Sequence, residues 1–264
     1  MMIDADIVAA SPSSVFRVLK KRRVIIPSTG KPSRKGTGFK QPSGAHRHWH
    51  IDITYVNISG TFYYLCAVID GWSRHIVHWE IHESMKVDQI QIILERGLGK
   101  FPAARPRVIS DNGSQFLARD FMDYIRQQEM THVKTSPYYP QSNGKIERWN
   151  GTLKRECIRP MTPLTLEDAR RVIAKYVDYY NDERLHSAIG YIAPRDKLEG
   201  RAEEIIAQRE AKLSTARDRR RAVSREPLTE EEREAQECSG GLEKQASPGT
   251  RHPLIYKARL SDLR

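Results

Sequence analysis

The sequence predicts an α/β protein whose central domain is a mixed β-sheet flanked by helices. Residues 49–82 contain three consecutive runs with the apolar patterning of β-strands. From residue 87 onward, stretches with apolar residues at helical spacing alternate with short strand-like runs. Three strands in succession, followed by helix–strand alternation, are typical of a mixed sheet with helices packed against its faces.

Residues 1–44 form the first predicted region, a partial helix-turn-helix remnant followed by a basic linker. Residues 4–19 are predicted to contain a short helix, because Ser11-Pro12-Ser13-Ser14 supplies a start signal before apolar residues at helical spacing. A loosely docked N-terminal arm is an equally good interpretation of the same pattern. Residues 20–44 are rich in Lys, Arg, Gly, Pro and Ser, a composition typical of a linker.

The second predicted region, residues 45–200, is the globular core, and it opens with three antiparallel strands. The first strand alternates, with Trp49 and Ile51 on one face and Asp52 on the other. The second is an almost continuous apolar run, as expected of a central strand covered on both faces. Gly-containing turns of hairpin length connect the strands. The strands are predicted at residues 49–56, 62–69 and 75–82, and the turns at 57–61 and 70–74.

Helices and short strands alternate through the rest of the core. Short strands are predicted at 107–110 and around His132-Val133, and the prolines at 137 and 140 predict a loop from Thr135 to Ser142. Helices are predicted at 143–157 and 165–181. Three apolar stripes identify the main helices, namely Val87, Ile90, Leu94 and Leu98; Leu117, Phe121, Tyr124 and Ile125; and Leu166, Ala169, Ile173, Val177 and Tyr180.

The third predicted region, residues 201–264, is a charged tail that is partly helical or disordered. Its composition changes to Glu, Arg, Lys and Ala with few aromatic residues. Residues 201–221 are predicted to form a solvated helix that ends in an arginine-rich turn, and residues 224–264 are predicted to be mostly disordered.

The charge of the chain indicates a polyanionic partner. The formal net charge is +11, and Lys and Arg gain affinity for nucleic acid by releasing condensed counterions. A merely soluble basic protein is the alternative interpretation. The three cysteines, Cys66, Cys157 and Cys238, form no pair at metal-ligand spacing, which argues against a disulfide framework or a cysteine zinc site. With no membrane-spanning run and no signal-peptide pattern, we expect a cytoplasmic protein.

Three acidic residues are the candidates for catalysis. Asp52 lies in mid-strand, where an unpaired carboxylate is costly, and Asp111 stands at the carboxyl end of a predicted strand. Glu147 lies near the start of a predicted helix. If these elements pack side by side, the carboxylates converge and repel one another unless a hard cation such as Mg²⁺ neutralises them. Taken singly, each has an ordinary interpretation: a partner for a histidine, a β-turn, or an acid on a helix surface.

The sequence around these acids resembles the DDE-type retroviral integrases and the related insertion-sequence transposases. Asp111 and Glu147 are separated by 35 residues, as in that signature. The matching blocks are WHIDITYV at 49–56, Val68-Ile69-Asp70 with Ser73-Arg74, SDNGSQF at 110–116, SPYYPQSNGKIERWNGTLKRE at 136–156, YNDER at 180–184, and His186-Ser187.

The resemblance implies a fold, a chemistry and partners. The fold is an RNase-H-like mixed five-stranded sheet flanked by helices. Asp52, Asp111 and Glu147 align with the family's three metal ligands, which implies two Mg²⁺ or Mn²⁺ ions per site. The implied reaction is DNA strand cleavage by water followed by strand transfer to a DNA 3′-hydroxyl. DNA is the implied partner, bound by a homo-oligomer that is associated with the nucleoid if the source is bacterial.

A second group of residues is predicted to contact DNA. Lys145, Arg148 and Lys154 flank Glu147 and could grip phosphates, although a solvated helix face is the alternative. The loop before this helix could order against DNA, with Tyr138 or Tyr139 stacking on a base, or could be a rigid surface turn. The polar side chains Gln141 and Asn143 complete this group.

Two patterns are predicted not to be sites. His46, His48 and His50 alternate, and would share the face of Asp52 if the strand extended that far back. We prefer a polar strand entry near DNA to a dedicated histidine metal site. Asp70-Gly71 is predicted to start a turn, so Asp70 is not expected to be a metal ligand.

The chain departs from the family in its outer regions. Little precedes the core, whereas the family has a DNA-end-recognition domain there, so we expect a truncated copy or one frame of a frameshifted element. Two alternatives to an active transposase remain open. One is an RNase-H-like nuclease that does not join strands. The other is a non-catalytic DNA-binding relic, against which the intact acidic triad weighs.

Overall fold

The computed structural model describes residues 3–25, 41–135 and 143–223. Its centre is a five-stranded sheet in the order β3-β2-β1-β4-β5. The first three strands are antiparallel neighbours, and β4 and β5 run parallel to β1. The predicted mixed five-stranded sheet is therefore confirmed. The strands are β1 (His48–Ile58), β2 (Thr61–Asp70), β3 (Ile76–His82), β4 (Arg107–Ser110) and β5 (Thr131–Lys134).

The helices flank this sheet, except for the first, which precedes it in the chain, and the last ones, which follow it. They are α1 (Pro12–Lys21), α2 (Val87–Lys100), α3 (Ser114–Leu117), α4 (Arg119–Gln127), α5 (Gly144–Leu153), α6 (Arg159–Met161), α7 (Leu166–Asp182), α8 (Pro194–Leu198) and α9 (Ala202–Val223). A π-helical turn, Lys154–Ile158, joins α5 to α6. The chain divides into two compact units, residues 1–213 and 214–264, and the sheet belongs to the first.

Each face of the sheet is covered by its own set of helices, as the strand patterns predicted. Trp49, Ile51 and the β2 residues Cys66 and Val68 are buried in one cluster with side chains of α2, α3 and α4. The other cluster joins the opposite face to α5 and α7. Because β2 contributes alternate residues to both clusters, it is covered on both faces. The polar face of β1, with Asp52, therefore looks towards α5.

Two helices differ from their predicted bounds. The first begins at Pro12 and not at residue 4, because Ser11 is its N-cap and accepts a hydrogen bond from the Ser14 amide at 3.3 Å. The stripe from Leu117 to Ile125 is divided between α3 and α4, since Ala118 between them has extended backbone. Leu117 is 47% exposed as a result, whereas Phe121 and Ile125 are buried as predicted.

The end of α7 anchors both the sheet edge and the π-helical turn. Asn181 accepts a hydrogen bond from the Ile76 amide at 2.8 Å and donates one to the Ile76 carbonyl at 3.2 Å. Arg184 donates two hydrogen bonds to Glu156, at 2.8 and 2.9 Å, and Tyr176 donates a third at 3.0 Å. The residues of the 180–184 block thus hold α5 and its extension against the sheet.

The tail is described only as far as its helix. The predicted solvated helix at 201–221 is confirmed as α9, whose arginine-rich last turns are exposed. The disorder predicted for 224–264 and the loop residues 136–142 lie outside the described residues. Within the described ranges, no helix is both long and apolar enough to span a membrane.

Candidate active site

The pairing of β1 with β4 brings two of the three predicted acids together. These strands are parallel, with His48 opposite Arg107 and His50 opposite Ile109. Continuing that register by two residues brings Asp111, the residue after β4, level with Asp52 on β1. Neighbouring strands lie about 4.8 Å apart, so the two carboxylates start from adjacent backbone positions.

Asp111 occupies a tight turn beyond the end of β4. Its Oδ1 accepts a hydrogen bond from the Gly113 amide at 3.0 Å, which is the turn that the Asp-Asn-Gly sequence predicts. The residue is exposed. The ordinary interpretation of Asp111 as a turn residue and its catalytic interpretation are therefore compatible, because the turn presents the carboxylate at the surface beside β1.

Helix α5 lies along the polar face of β1 and supplies the third acid. Glu147 is exposed in the first turn of this helix. One turn later, the Asn150 Nδ2 donates a hydrogen bond to the Asp52 Oδ2 at 2.8 Å, and Asn150 is only 6% exposed. A turn beyond, the Lys154 ammonium donates to the Thr54 hydroxyl at 2.7 Å. The side of α5 that carries Glu147, Asn150 and Lys154 thus follows β1 past Asp52.

The negative charges of the other two acids reach Asp52. The pKa of Asp52 is raised to about 7, chiefly by burial and then by the negative charges of Asp111 and Glu147. Within residues 3–25, 41–135 and 143–223, however, no three His, Cys, Asp or Glu side chains are arranged to hold a metal ion together. Carboxylate oxygens are nevertheless the donors that a hard divalent cation prefers.

The candidate DNA-binding residues occupy different environments. Arg148 is exposed, whereas the Lys145 ammonium donates to the Gly71 carbonyl at 2.7 Å. Burial and the nearby Arg74 lower the pKa of Lys145 to about 7. Asn143 is buried and its Nδ2 donates to the Ile51 carbonyl at 3.4 Å. Tyr138, Tyr139 and Gln141 lie outside the described residues.

The structure shows what His46 and Asp70, which were predicted not to be metal sites, contact instead. Strand β1 begins at His48, so His46 does not extend the polar face, and its Nδ1 accepts from the Trp49 indole at 3.1 Å. Asp70 is fully buried at the predicted turn. Its Oδ1 accepts from the His46 amide at 2.8 Å, and its Oδ2 accepts from the Ser73 amide and hydroxyl at 2.8 and 2.7 Å.

Asn150 is the site residue that sequence reasoning missed. The available signal was its position three residues after Glu147, which places the two on one side of a helix. Its contact with Asp52 depends on how α5 crosses β1, and no local pattern encodes that crossing.

Two family models match the chain. Residues 42–140 match one integrase core domain, and residues 128–194 match a second model with the same description. Together the matched residues begin before β1 and continue to the start of α8, so they contain Asp52, Asp111 and Glu147.

Curated relatives and solved structures give concordant results. The chain is 29% identical over 175 residues to the transposase for insertion sequence element IS904 of Lactococcus lactis subsp. lactis. This alignment covers 62% of this chain and 69% of the relative. The chain is also 26% identical over 184 residues to a putative transposase for insertion sequence element IS986/IS6110 of Mycobacterium tuberculosis, and that alignment covers 66% of each. The chain thus spans about two thirds of the length of these relatives.

Among solved structures, a chain of the simian T-cell lymphotropic virus intasome in complex with PP2A regulatory subunit B56 gamma aligns with a TM-score of 0.55 and 17% identity. The alignment covers 72% of this chain and 68% of that one. At this identity the likeness concerns the fold alone, and it agrees with a mixed sheet flanked by helices.

Proposed function

Because the chain belongs to the integrase core domain family of insertion-sequence transposases, we propose that it cuts and joins DNA strands with Asp52, Asp111 and Glu147 as metal ligands. The observation that carries this proposal is the register of β1 with β4, which sets Asp111 beside Asp52, together with α5, which carries Glu147 and contacts Asp52 through Asn150. The raised pKa of Asp52, to which both other acids contribute by charge repulsion, agrees with this arrangement. A carboxylate held in such surroundings gains most when a cation is bound beside it.

In the proposed metal-bound state, the three side chains would rearrange around the cation. Asp52 is already held by Asn150, which donates a hydrogen bond to its Oδ2. Asp111 would exchange its hydrogen bond to the Gly113 amide for the cation. Glu147 is exposed and carries the longest of the three side chains, so its carboxylate is free to change direction.

The reaction has two steps of the same kind. In cleavage, water attacks a phosphodiester, one P–O bond forms and another breaks, and a DNA 3′-hydroxyl is released. In strand transfer, that hydroxyl attacks a phosphodiester of the target DNA, and again one P–O bond forms while another breaks. Asp52, Asp111 and Glu147 would hold the divalent metal, two Mg²⁺ or Mn²⁺ ions per site, whose chemistry would be activation of the attacking oxygen and stabilisation of the leaving one. The side chains hold the reactants in place and form no covalent intermediate.

Positive side chains near the acids supply the contacts to DNA. Arg148 is exposed one residue after Glu147, and Lys154 lies beside Thr54, two residues after Asp52 on the same face of β1. Both are placed to bind phosphates next to the scissile bond. The net charge of +11 favours DNA over neutral partners. Because integration joins two element ends, the active species would be a homo-oligomer on DNA, in the cytoplasm and at the nucleoid.

A strand-joining assay with a labelled 3′-ended duplex, a target plasmid and Mg²⁺ tests this function. The parent chain should join strands, and Glu147→Gln should reduce joining by about 10³-fold or more, because it removes one charged ligand. The matched control is Glu167→Gln on α7, where the replaced carboxylate is exposed and paired with Arg170. This control should join strands at the parental rate.

The same assay separates the alternatives. Cleavage without joining would favour the RNase-H-like nuclease. DNA binding without either reaction, in the parent as in Glu147→Gln, would favour the non-catalytic relic.

A further inference from the structure

A buried histidine–serine pair lies directly behind the Asp111 turn. Ser110, the last residue of β4, is completely buried, and His132 faces it from the neighbouring strand β5. The Ser110 Oγ lies 2.8 Å from the His132 Nε2 and also 2.8 Å from the Asp111 carbonyl oxygen. Neither contact is needed for the pairing of β4 with β5, which uses backbone groups.

The two contacts of the Ser110 hydroxyl share a single proton. The Asp111 carbonyl can only accept, so its contact is a hydrogen bond when Ser110 donates that proton to it. The contact with His132 is then a hydrogen bond as well only if Nε2 carries the ring proton and donates it to the Ser110 oxygen. Both contacts are therefore made together only when donation runs from His132 through Ser110 to the backbone of Asp111.

The surroundings of His132 hold the ring in this orientation. Its ring makes an edge contact with Phe121, with centroids 5.2 Å apart, and its Nδ1 lies 3.2 Å from the Met122 sulfur. Burial lowers the pKa of His132, so the ring is neutral at physiological pH and carries one proton. A proton on Nε2 faces the Ser110 oxygen, a strong acceptor, whereas a proton on Nδ1 faces only the Met122 sulfur, a weak one.

Strand β5 also holds the other peptide group of Asp111. The Thr135 amide donates to the Ser110 carbonyl at 3.0 Å, and the Asn112 side chain donates to the Thr135 carbonyl at 3.0 Å. The peptide groups before and after the Asp111 Cα are thus each fixed by a hydrogen bond. With both peptide planes fixed, the direction in which the Asp111 side chain leaves the backbone is fixed as well.

We propose that His132 and Ser110 are positioning residues for Asp111, acting as a hydrogen-bonded relay that sets the backbone from which this carboxylate reaches metal and DNA. The proposal rests on the proposed function, in which Asp111 is a metal ligand. Groups that orient metal ligands from behind typically change metal affinity or activity by about 10- to 100-fold when they are removed.

Titration of the full chain with Mn²⁺, followed by electron paramagnetic resonance, tests the relay without relying on turnover. Ser110→Ala should weaken Mn²⁺ binding by about 10-fold, because the Asp111 carbonyl and the His132 N–H each lose a partner. Ser110→Thr keeps the hydroxyl and should recover most of the affinity. Ser114→Ala is the control, since this exposed hydroxyl lies beyond the same turn and contacts only the Gln115 side chain.

A second measurement reports on the relay in the metal-free protein. Ring ¹⁵N NMR of His132 should show the proton on Nε2 in the parent chain. His132→Gln, whose side-chain amide can donate to Ser110, should bind Mn²⁺ more tightly than His132→Ala, and this pair decides the matter if Ser110→Ala fails to fold.

Parental Mn²⁺ affinity in Ser110→Ala, equal affinities in the two His132 variants, or a proton on Nδ1 would overturn the relay. Failure of the proposed function gives a different result, because the parent chain itself would then bind no Mn²⁺ or would bind it equally well as Glu147→Gln.

Discussion

At the scale of single residues, the environment of Asp52 lowers the free energy of unfolding at neutral and higher pH. Its carboxylate is partly buried, and its pKa of about 7 lies far above the ordinary value near 3.9. The folded state therefore holds a proton that the unfolded state releases between pH 4 and pH 7. As the pH rises through that window, the folded protein loses stability relative to the unfolded chain.

Replacing Asp52 with Asn should consequently stabilise the metal-free protein. At pH 8 the gain should be on the order of 1 to 3 kcal/mol, after allowance for solvent screening, and it should shrink towards pH 4. The same variant should lose strand joining. Urea unfolding of both proteins in EDTA at pH 4.5 and pH 8 measures the effect. A gain that is absent at pH 8, or that is equal at both pH values, contradicts the assigned environment.

Lys154 gives a second prediction at this scale. If it binds a phosphate, Lys154→Ala should weaken DNA binding and reduce the slope of log affinity against log salt by about 1. Lys175→Ala removes an exposed lysine from α7 and should change neither quantity as much. Fluorescence anisotropy over a range of salt concentrations makes the comparison. An unchanged slope in Lys154→Ala would mean that this lysine does not bind a phosphate and that its role is the hydrogen bond to Thr54.

The sequence predicted candidate residues for the site but not their contacts. Alternation along β1 predicted that Asp52 lies on the face of the strand away from Trp49 and Ile51, because successive strand residues face opposite sides of a sheet. The three acids became candidates through their order and spacing. Asn150 was missed because an asparagine in a charged helix looks like a surface residue. Ser110 and His132 are 22 residues apart in the chain, so no local pattern could reveal their contact.

At the scale of elements, the ion pair between Glu156 and Arg184 connects the extension of α5 to the end of α7. The two guanidinium hydrogen bonds, with that of Tyr176, lower the pKa of Glu156 to about 2. The stabilisation is present above the unfolded pKa near 4.3 and is lost as the pH falls towards 2.

Glu156→Gln should therefore destabilise the protein at pH 7 by about 1 to 2 kcal/mol after allowance for solvent screening, and the difference from the parent should shrink below pH 4. Glu167→Gln breaks an exposed pair with Arg170 and should cost less than about 1 kcal/mol. Urea unfolding between pH 3 and pH 7 measures both. A cost of similar size in the two variants would mean that the Glu156 pair adds nothing beyond a surface contact.

Some boundaries of helices are set by tertiary packing and not by the helix propensity of the local sequence. Alanine favours helix, so nothing at Ala118 predicts the extended residue that separates α3 from α4. The π-helical turn at Lys154–Ile158 has no sequence signal either, although such turns are frequent at functional sites. Helix starts that are capped by a specific side chain are easier to predict. The start signal at Ser11-Pro12 lies where α1 begins, because Ser11 is its N-cap.

At the scale of the whole molecule, the candidate site exists only when the core is assembled. Asp52 comes from β1, Asp111 from the turn after β4, and Glu147 from α5, and each lies on a separate segment of the chain. The patterns predicted three antiparallel strands followed by two strands among helices, but they did not establish the order of the five strands in the sheet. The distances between the carboxylates were not predictable either, since they depend on how α5 packs against β1.

Diffraction at the Mn²⁺ absorption edge, from crystals of the full chain grown with DNA and Mn²⁺, shows directly which side chains hold the metal. We expect anomalous peaks within about 2.3 Å of oxygens from Asp52, Asp111 and Glu147, as for hard cations on carboxylates. Peaks that engage other side chains, or that leave any of these three acids unbound, would contradict this expectation.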